Sequence, residues 1–353
     1  MYEEYFVSKT LEVRKIGNNF CVYRSSDRKA WFANIAKFKE FWDVLSYFKN
    51  RKNFDKKKFN DDFNYVVEQL LEHDIIQNIS EMSKFDSLNY ENESVESYSY
   101  HISTSKVNWT NYSDKESIKL NDLNEMDSYV SEENIPSNYK KILNSEPKYY
   151  MEDVCFLNFN ESENIMGKSK INKKCIVNFD DINLIINNCF KAYDDINMYA
   201  TGKHLRKHVP SGGARHPIEA YLLIVNVDGL DKGLYHYNVK FHRLDLITIN
   251  DVEFENIVKS VNIIPRGRSK NLAASFIHTC IFKRSMFRYR EPRSYRVMNF
   301  DLGHIHANEV ITSNILNLNY CEAYSVPENI IESIINLDGI EESVMSAFNL
   351  YGE

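Results

Sequence analysis

The sequence predicts an α+β fold, an antiparallel-rich sheet flanked by helices, preceded by a small winged-helix-like N-terminal domain. Three observations carry this reading. Apolar runs of strand length follow one another between turn signals in the second half of the chain, helical patterns stand before and after them, and the first eighty residues alternate strand-like and helical segments on their own. Helices that bracket a run of antiparallel strands mark an α+β chain rather than one in which strands and helices alternate.

In the first eighty residues "EVRKIGNNFCVYRSS" and "KAWFANI" read as strands around the turn signal "GNN". Two helical patterns follow. In "AKFKEFWDVLSYFKN" the residues Phe38, Phe41, Trp42, Leu45 and Phe48 fall on one apolar stripe, and Phe63, Val66, Val67, Leu70 and Leu71 do the same in "FNDDFNYVVEQLLEHDIIQNI". Residues 1–80 are therefore expected to form a winged-helix-like module. Such a module either captures an extended peptide by strand addition or merely buttresses its neighbour. Residues 81–150 shift to Ser, Asn, Glu and Tyr, as in "SLNYENESVESYSYHISTSKVNWTNYSDKES", with little periodicity. They are expected to be an irregular linker that wraps on the surface, because its tyrosines and Trp109 suit packing better than a free tether.

Residues 151–353 are expected to form the main domain. "FDDINLIINNCFKAY" is an amphipathic helix whose aspartates sit at its start, where the helix dipole favours negative charge. Then come "AYLLIVNV", the turn "DGLDKG", "LYHYNV", the turn "KFHR" and "LDLITI", three strands in a meander. The first is apolar throughout and so is expected to be buried on both faces. "FDLGHIHANEVITSNILNLN" reads as a long, mostly buried helix, and "SVPENIIESIIN" as a last helix with Pro327 near its first turn.

Composition excludes some functions. The 353 residues are 43% hydrophobic, enough for a full core, and carry a formal charge of -7. No basic field is available for nucleic acid or anionic lipid. The start "MYEEYFVSKTLEVRK" has acids where a signal peptide has cations, and no apolar stretch approaches the roughly 18 residues of a spanning helix, so a cytoplasmic protein is expected. Cys21, Cys155, Cys175, Cys189, Cys280 and Cys321 lack zinc or disulfide spacing, and histidines such as His73 and His278 lack a neighbour at ligand spacing. No metal site is expected.

The motif that carries chemistry is "PSGGARHPIEAYLLIVNV", residues 210–227. Pro210 fixes its own φ and extends Val209, so the chain arrives rigidly at Ser211. Gly212 and Gly213 permit positive φ and remove the Cβ atoms that would keep a flat ligand away. Arg215 and His216 then supply donors for carbonyls or a phosphate. A flavin suits this description, as does a plain tight turn.

The longer string "PSGGARHPIEAYLLIVNVDGLDKGLYHYNVKFHRLDLI", with "REPRSYRVMNFDLGHIHAN" and more weakly "SYSYHISTSK", closely resembles the SagB-type, McbC-like branch of the nitroreductase superfamily over residues 98–353. The resemblance implies a nitroreductase-like FMN fold and a homodimer with FMN between subunits. Pro210, Ser211, Gly212, Gly213 and Arg215 would line the flavin beside His216, and Gly303, His304 and Asn308 match the start of the family's central helix. It further implies a precursor peptide as substrate and a cyclodehydratase as companion. Azolines would lose hydride to the flavin and become azoles, with dioxygen reoxidising the flavin.

The chain also departs from that pattern. The family's phosphate-binding "RRSxR" has its nearest counterpart in "GKSK", where Lys168, Ser169 and Lys170 would stand in, without the bidentate fork of arginine. Asn317 and Asn319 replace glycines of a later "GLG" loop. The family's Lys–Tyr pair, which takes the proton, falls on Tyr289 and Arg290 in "RYREPRSYR", with Arg293, Tyr295 and Arg296 retained. Guanidinium groups stabilise phenolate, so Arg288, Arg290 and Arg293 are expected to activate Tyr289 or Tyr295 as proton acceptor. The same arginines could clamp an anionic substrate, or lace a helix end with salt bridges. The implied activity is an FMN-dependent peptide dehydrogenase, for azoline oxidation or a related desaturation. An NAD(P)H-dependent flavin reductase and a catalytically silent leader-binding scaffold are the alternatives.

Overall fold

The computed structural model describes residues 4–7, 11–24, 29–49, 52–78, 95–105, 115–154, 174–262 and 271–352. The chain divides into two compact units, Met1–Thr110 and Asn111–Glu353.

The first unit holds strands β1 (Glu4–Val7), β2 (Leu11–Ile16), β3 (Asn19–Arg24) and β4 (Lys29–Asn34), helix α1 (Phe38–Phe48), β5 (Lys52–Asn53), α2 (Asp61–Glu72), β6 (Ile76–Asn78) and α3 (Val95–Ser105). Two three-stranded antiparallel sheets result, in the orders β5-β1-β6 and β2-β3-β4. Asn60 caps α2 by accepting a hydrogen bond from the Phe63 amide at 2.9 Å. Helix α1 buries Phe41, Val44, Leu45 and Phe48. Trp42, expected on that stripe, is 51% exposed. It lies about 100° around the helix from Phe41, and the sheet reaches only the narrower face that Val44 completes.

The second unit is built on a seven-stranded sheet in the order β14-β15-β13-β10-β11-β12-β7, antiparallel throughout. Its elements are α4 (Lys115–Glu132), β7 (Ser145–Tyr150), α5 (Phe179–Cys189), the hairpin β8 (Ala192–Asn197) and β9 (Lys203–Lys207), then β10 (Ile218–Ile224), β11 (Gly233–Asn238) and β12 (Arg243–Ile247). There follow α6 (Asp251–Val261), β13 (Asn271–Ile281), α7 (Phe282–Met286), α8 (Ser294–Ile315), β14 (Asn319–Ala323), α9 (Glu328–Ile335) and β15 (Glu342–Gly352). The three strands of the meander fall where the sequence places them. All seven residues of β10 are buried. Alternation divides them, with Ile218, Ala220, Leu222 and Ile224 packing among residues of α5 and α8, and Tyr221 and Leu223 among those of α6 and α9. Helix α5 opens with a capping box in which Asn178 and Asp181 satisfy each other's amides.

Residues 81–150 depart from the expected irregular linker, for they include α3, α4 and β7, and β7 closes the sheet against β12. Helix α4 has no apolar stripe. It buries Met126 and carries ion pairs, Asp122 pairing with Arg288, Glu132 and the following Glu133 with Arg290, and Glu133 with Lys283. Periodicity cannot register a helix held in this way. Asn317, which replaces a glycine of the family pattern, sits at φ +56, a conformation that asparagine tolerates. No helix among the described residues is long and apolar enough to cross a membrane.

Candidate functional site

Strand β10 anchors the bend that precedes it. Gly213 lies at φ +62, and Ala214 and His216 follow at +53 and +44. Non-glycine residues in this region are strained, so the surroundings must hold them. The clamp is Asp301 of α8, which accepts from Ser211 Oγ at 2.6 Å and from the Gly212 amide at 3.0 Å, while Ser211 Oγ accepts from the His216 amide at 2.9 Å. Burial pushes the Asp301 carboxyl up, against the pull of these two donors.

Of the other expected cofactor residues, Arg215, His216 and His304 lie around this clamp. Arg215 is only 8% exposed and donates through Nη1 to His204 Nε2 at 3.1 Å, while its Nε has no partner. Desolvation lowers both groups, and His204 accordingly stays neutral with Nδ1 facing Gly213 O at 3.3 Å. His216 donates through Nε2 to Leu205 O at 3.1 Å, and burial pushes it down to about 3. His304 Nδ1 meets Pro210 O at 3.2 Å, and Asn308 donates to Asn188 O at 3.2 Å. Lys168, Ser169 and Lys170 lie outside the described residues.

A Cβ at Gly213 would overlap the Tyr289 hydroxyl, and one at Gly212 would overlap Val297, so protein atoms fill the space that the glycines open. The Gly212 amide already serves Asp301, and the cavity bordered by Pro210, Ser211, His216 and Asp301 is about 10 Å³, room for a water at most. The Gly212 amide is therefore not the free main-chain donor expected there. What does suit an anionic or carbonyl ligand is Arg215, buried with an unsatisfied Nε.

The arginine string is also rearranged. Arg290 pairs with Glu132 and Glu133 at 3.1 and 3.0 Å and lies 3.9 Å over the Tyr129 ring, and Arg288 pairs with Asp122. Both thus pair with carboxylates on or beside α4, and Arg288 also lies 5.4 Å from the centre of the Tyr289 ring. Arg293 immediately precedes α8. Tyr295 stacks on Phe282 at 5.8 Å, and burial pushes its phenol up, opposite to the expected activation. Tyr289 reaches the bend, its hydroxyl lying over Gly213.

Sequence reasoning missed what stands behind it. Arg284 donates to Glu219 Oε1 at 2.5 Å, to His216 O at 3.2 Å and to Ser137 O at 2.9 Å, and His236 Nε2 meets Glu219 Oε2 at 2.8 Å. The available signal was Glu219 itself, a charge inside a buried strand that requires a partner. Burial alone would raise the Glu219 carboxyl, but Arg284, His236 and Lys207 outweigh it and hold it well below the usual range. His278 is a satisfied core histidine, as its lack of a neighbour at ligand spacing suggested, and meets Glu309 at 2.8 Å and Ser346 at 3.1 Å.

Acid should therefore destabilise the unit in two stages. His216 binds a proton near 6.5 when unfolded but resists to about 3 when folded, so stability falls as pH drops through that interval, by up to about 1.4 kcal/mol per unit. Glu219 has a depressed pKa, and its contribution is lost as pH falls below about 4.3. Urea midpoints measured from pH 7 to 4 should decline, less steeply in His216→Gln; equal slopes would contradict the first stage.

Antiparallel sheet order, the long buried helix behind it and the PSGGAR bend define a chain of the nitroreductase class. It is 42% identical to the trifolitoxin-processing protein TfxB of Rhizobium leguminosarum bv. trifolii over 359 aligned positions, 98% of this chain and 96% of that protein, and it belongs to that family, within the SagB/McbC-type branch of the nitroreductase superfamily. The microcin B17-processing protein McbC of Escherichia coli is 26% identical over 141 residues, 38% of this chain and 50% of that protein. Among solved structures, a chain of the E. coli microcin synthetase McbBCD complex with truncated pro-MccB17 bound superposes with a TM-score of 0.43 and 16% identity, covering 78% of this chain and 98% of that one. No family model matches the chain.

Proposed function

We propose that this protein is an oxidoreductase that modifies a ribosomally made precursor peptide, removing two electrons from an azoline or a related site, with FMN as the intended acceptor. The observation that carries the reading is the 42% identity, across essentially the whole chain, to a peptide-processing protein. For FMN the support is the resemblance of the PSGGAR string together with the unsatisfied Arg215 Nε. FMN supplies hydride acceptance when bound. The chain's own part is to hold the bend through Asp301 and to keep His204 and His216 neutral. Admission of the ring requires Tyr289 and Val297 to leave the glycines.

The first unit supports a peptide-gripping role. A cavity of about 610 Å³ runs between β4 and α2, lined by Trp31, Phe32, Phe41, Tyr65, Gln69 and His73 among others. Strand β4 pairs only with β3 among the described strands, so an open edge borders the groove. An extended peptide that adds to such an edge gains main-chain hydrogen bonds while its side chains enter the groove.

One experiment tests both halves. Full-length protein saturated with FMN is incubated with its cognate precursor, and the expected result is a mass loss of two hydrogens per modified site. A gain of two hydrogens with NADPH identifies a reductase, and no change in either direction removes the enzymatic reading. Phe32→Asp should raise KM for the precursor about tenfold, roughly 1.4 kcal/mol, at unchanged kcat.

A further inference from the structure

Away from the bend, β13, β15 and α8 bring together a polar cluster in the middle of the apolar interface. His278, His306 and Glu309 are all buried, and one ligand atom from each lies within 4.8 Å of the others. Ser346 Oγ meets His278 Nδ1 at 3.1 Å and His306 Nε2 at 2.8 Å. A single hydroxyl thus holds one nitrogen of each imidazole and turns the other toward Glu309. His278 Nε2 lies 2.8 Å from Glu309 Oε1, and His306 Nδ1 lies 3.4 Å from Glu309 Oε2. Neither His306 Nδ1 nor Glu309 Oε2 makes a hydrogen bond. Two orphaned acceptors face one another in a buried site, which is costly unless something cationic joins them.

We propose that His278, His306 and Glu309, joined at the solvent side by Glu322, form a binding site for a divalent transition-metal ion of the zinc type. The orphaned pair has the right separation, since two ligands about 2.0–2.2 Å from a tetrahedral ion stand about 3.3–3.6 Å apart. The donor set is imidazole and carboxylate, which suits zinc and its neighbours rather than calcium or magnesium. Glu322 Oε1 is 3.9 Å from His306 Nδ1, accepts from the Tyr324 hydroxyl at 2.6 Å and is partly exposed, so it would have to give up that bond to become a fourth ligand at the way in. Ser346 is the outer partner such sites use. With an ion bound, both far nitrogens carry protons, and the hydroxyl oxygen accepts from both through its two lone pairs. The histidine and glutamate of α8 lie one turn apart and His278 comes from a distant strand, so no spacing rule reveals the set.

The test uses full-length protein stripped with a chelator, then titrated with zinc or cobalt(II) and desalted. Wild type is expected to retain one equivalent per chain, and the cobalt form to show the visible absorption of a four-coordinate ion. Glu309→Gln keeps the volume and should lose that equivalent, and Ser346→Ala should weaken affinity about 10–100-fold with the fold intact by thermal melting. Should Glu309→Gln fail to fold, Ser346→Ala alone decides. Retention of no metal by wild type, or equal affinity in the variants that fold, overturns the proposal and leaves a neutral hydrogen-bonded network.

Discussion

Arg284→Met is expected to destabilise the second unit by about 3–5 kcal/mol, the largest single-residue loss in that unit. Arg284 and Glu219 are nearly inaccessible, with side chains 4% and 2% exposed. Removing the guanidinium leaves a buried carboxylate with His236 and the charge of Lys207 but without its closest cation, and leaves the carbonyls of Ser137 and His216 without their donor. The orphaned charge, rather than the net strength of the ion pair, sets the size of the effect, since exchanging a whole buried pair for apolar groups is often neutral. Arg284→Met combined with Glu219→Gln should therefore recover much of the loss. Urea denaturation with an unchanged slope gives both values, and a loss below about 1 kcal/mol for the single variant would show that water reaches Glu219. Because His216 O belongs to the strained bend, the variant should also loosen the candidate site before the sheet melts.

Gly213→Ala should produce the second large effect. A side chain at φ +62 costs about 1–2 kcal/mol, and its overlap with the Tyr289 hydroxyl adds about 1–3 kcal/mol. These two contributions can be separated. In the double variant Gly213→Ala/Tyr289→Ala the overlap disappears while the conformational cost remains, so the pair should couple by at least about 1 kcal/mol. Additive losses would mean that Tyr289 does not rest on Gly213 in solution. Tyr289→Ala alone also vacates the space above the glycine, so it should take up FMN more readily than wild type if this bend is where the ring enters, measured by flavin absorbance after gel filtration.

Much of the second unit was legible because its code is local. The apolar run of β10, the turns around β11 and the aspartates at the start of α5 each act within a few residues, and the elements stand where these signals put them. Helix α4 was not legible, since it has no strong stripe of its own and its ion-pair partners Lys283, Arg288 and Arg290 lie in a later segment. The candidate site divides the same way. Positive φ at Gly213 could be read from the residue type, whereas the contacts of Tyr289 and Val297 with the glycine pair could not.

The sequence by itself determined that a tight, glycine-bearing bend would feed a strand buried on both faces, with Arg215 and His216 at its foot. Only the tertiary structure decided that Asp301 would take the bend's amide, that Tyr289 would close it, that Arg290 would turn to α4, and that His278 would meet Glu309. The reason is that backbone preferences are set by near neighbours, while the partner of a buried polar group is set by which strands pair. The insertion of β13 between β10 and β15 is a property of the whole sheet, written in no single segment.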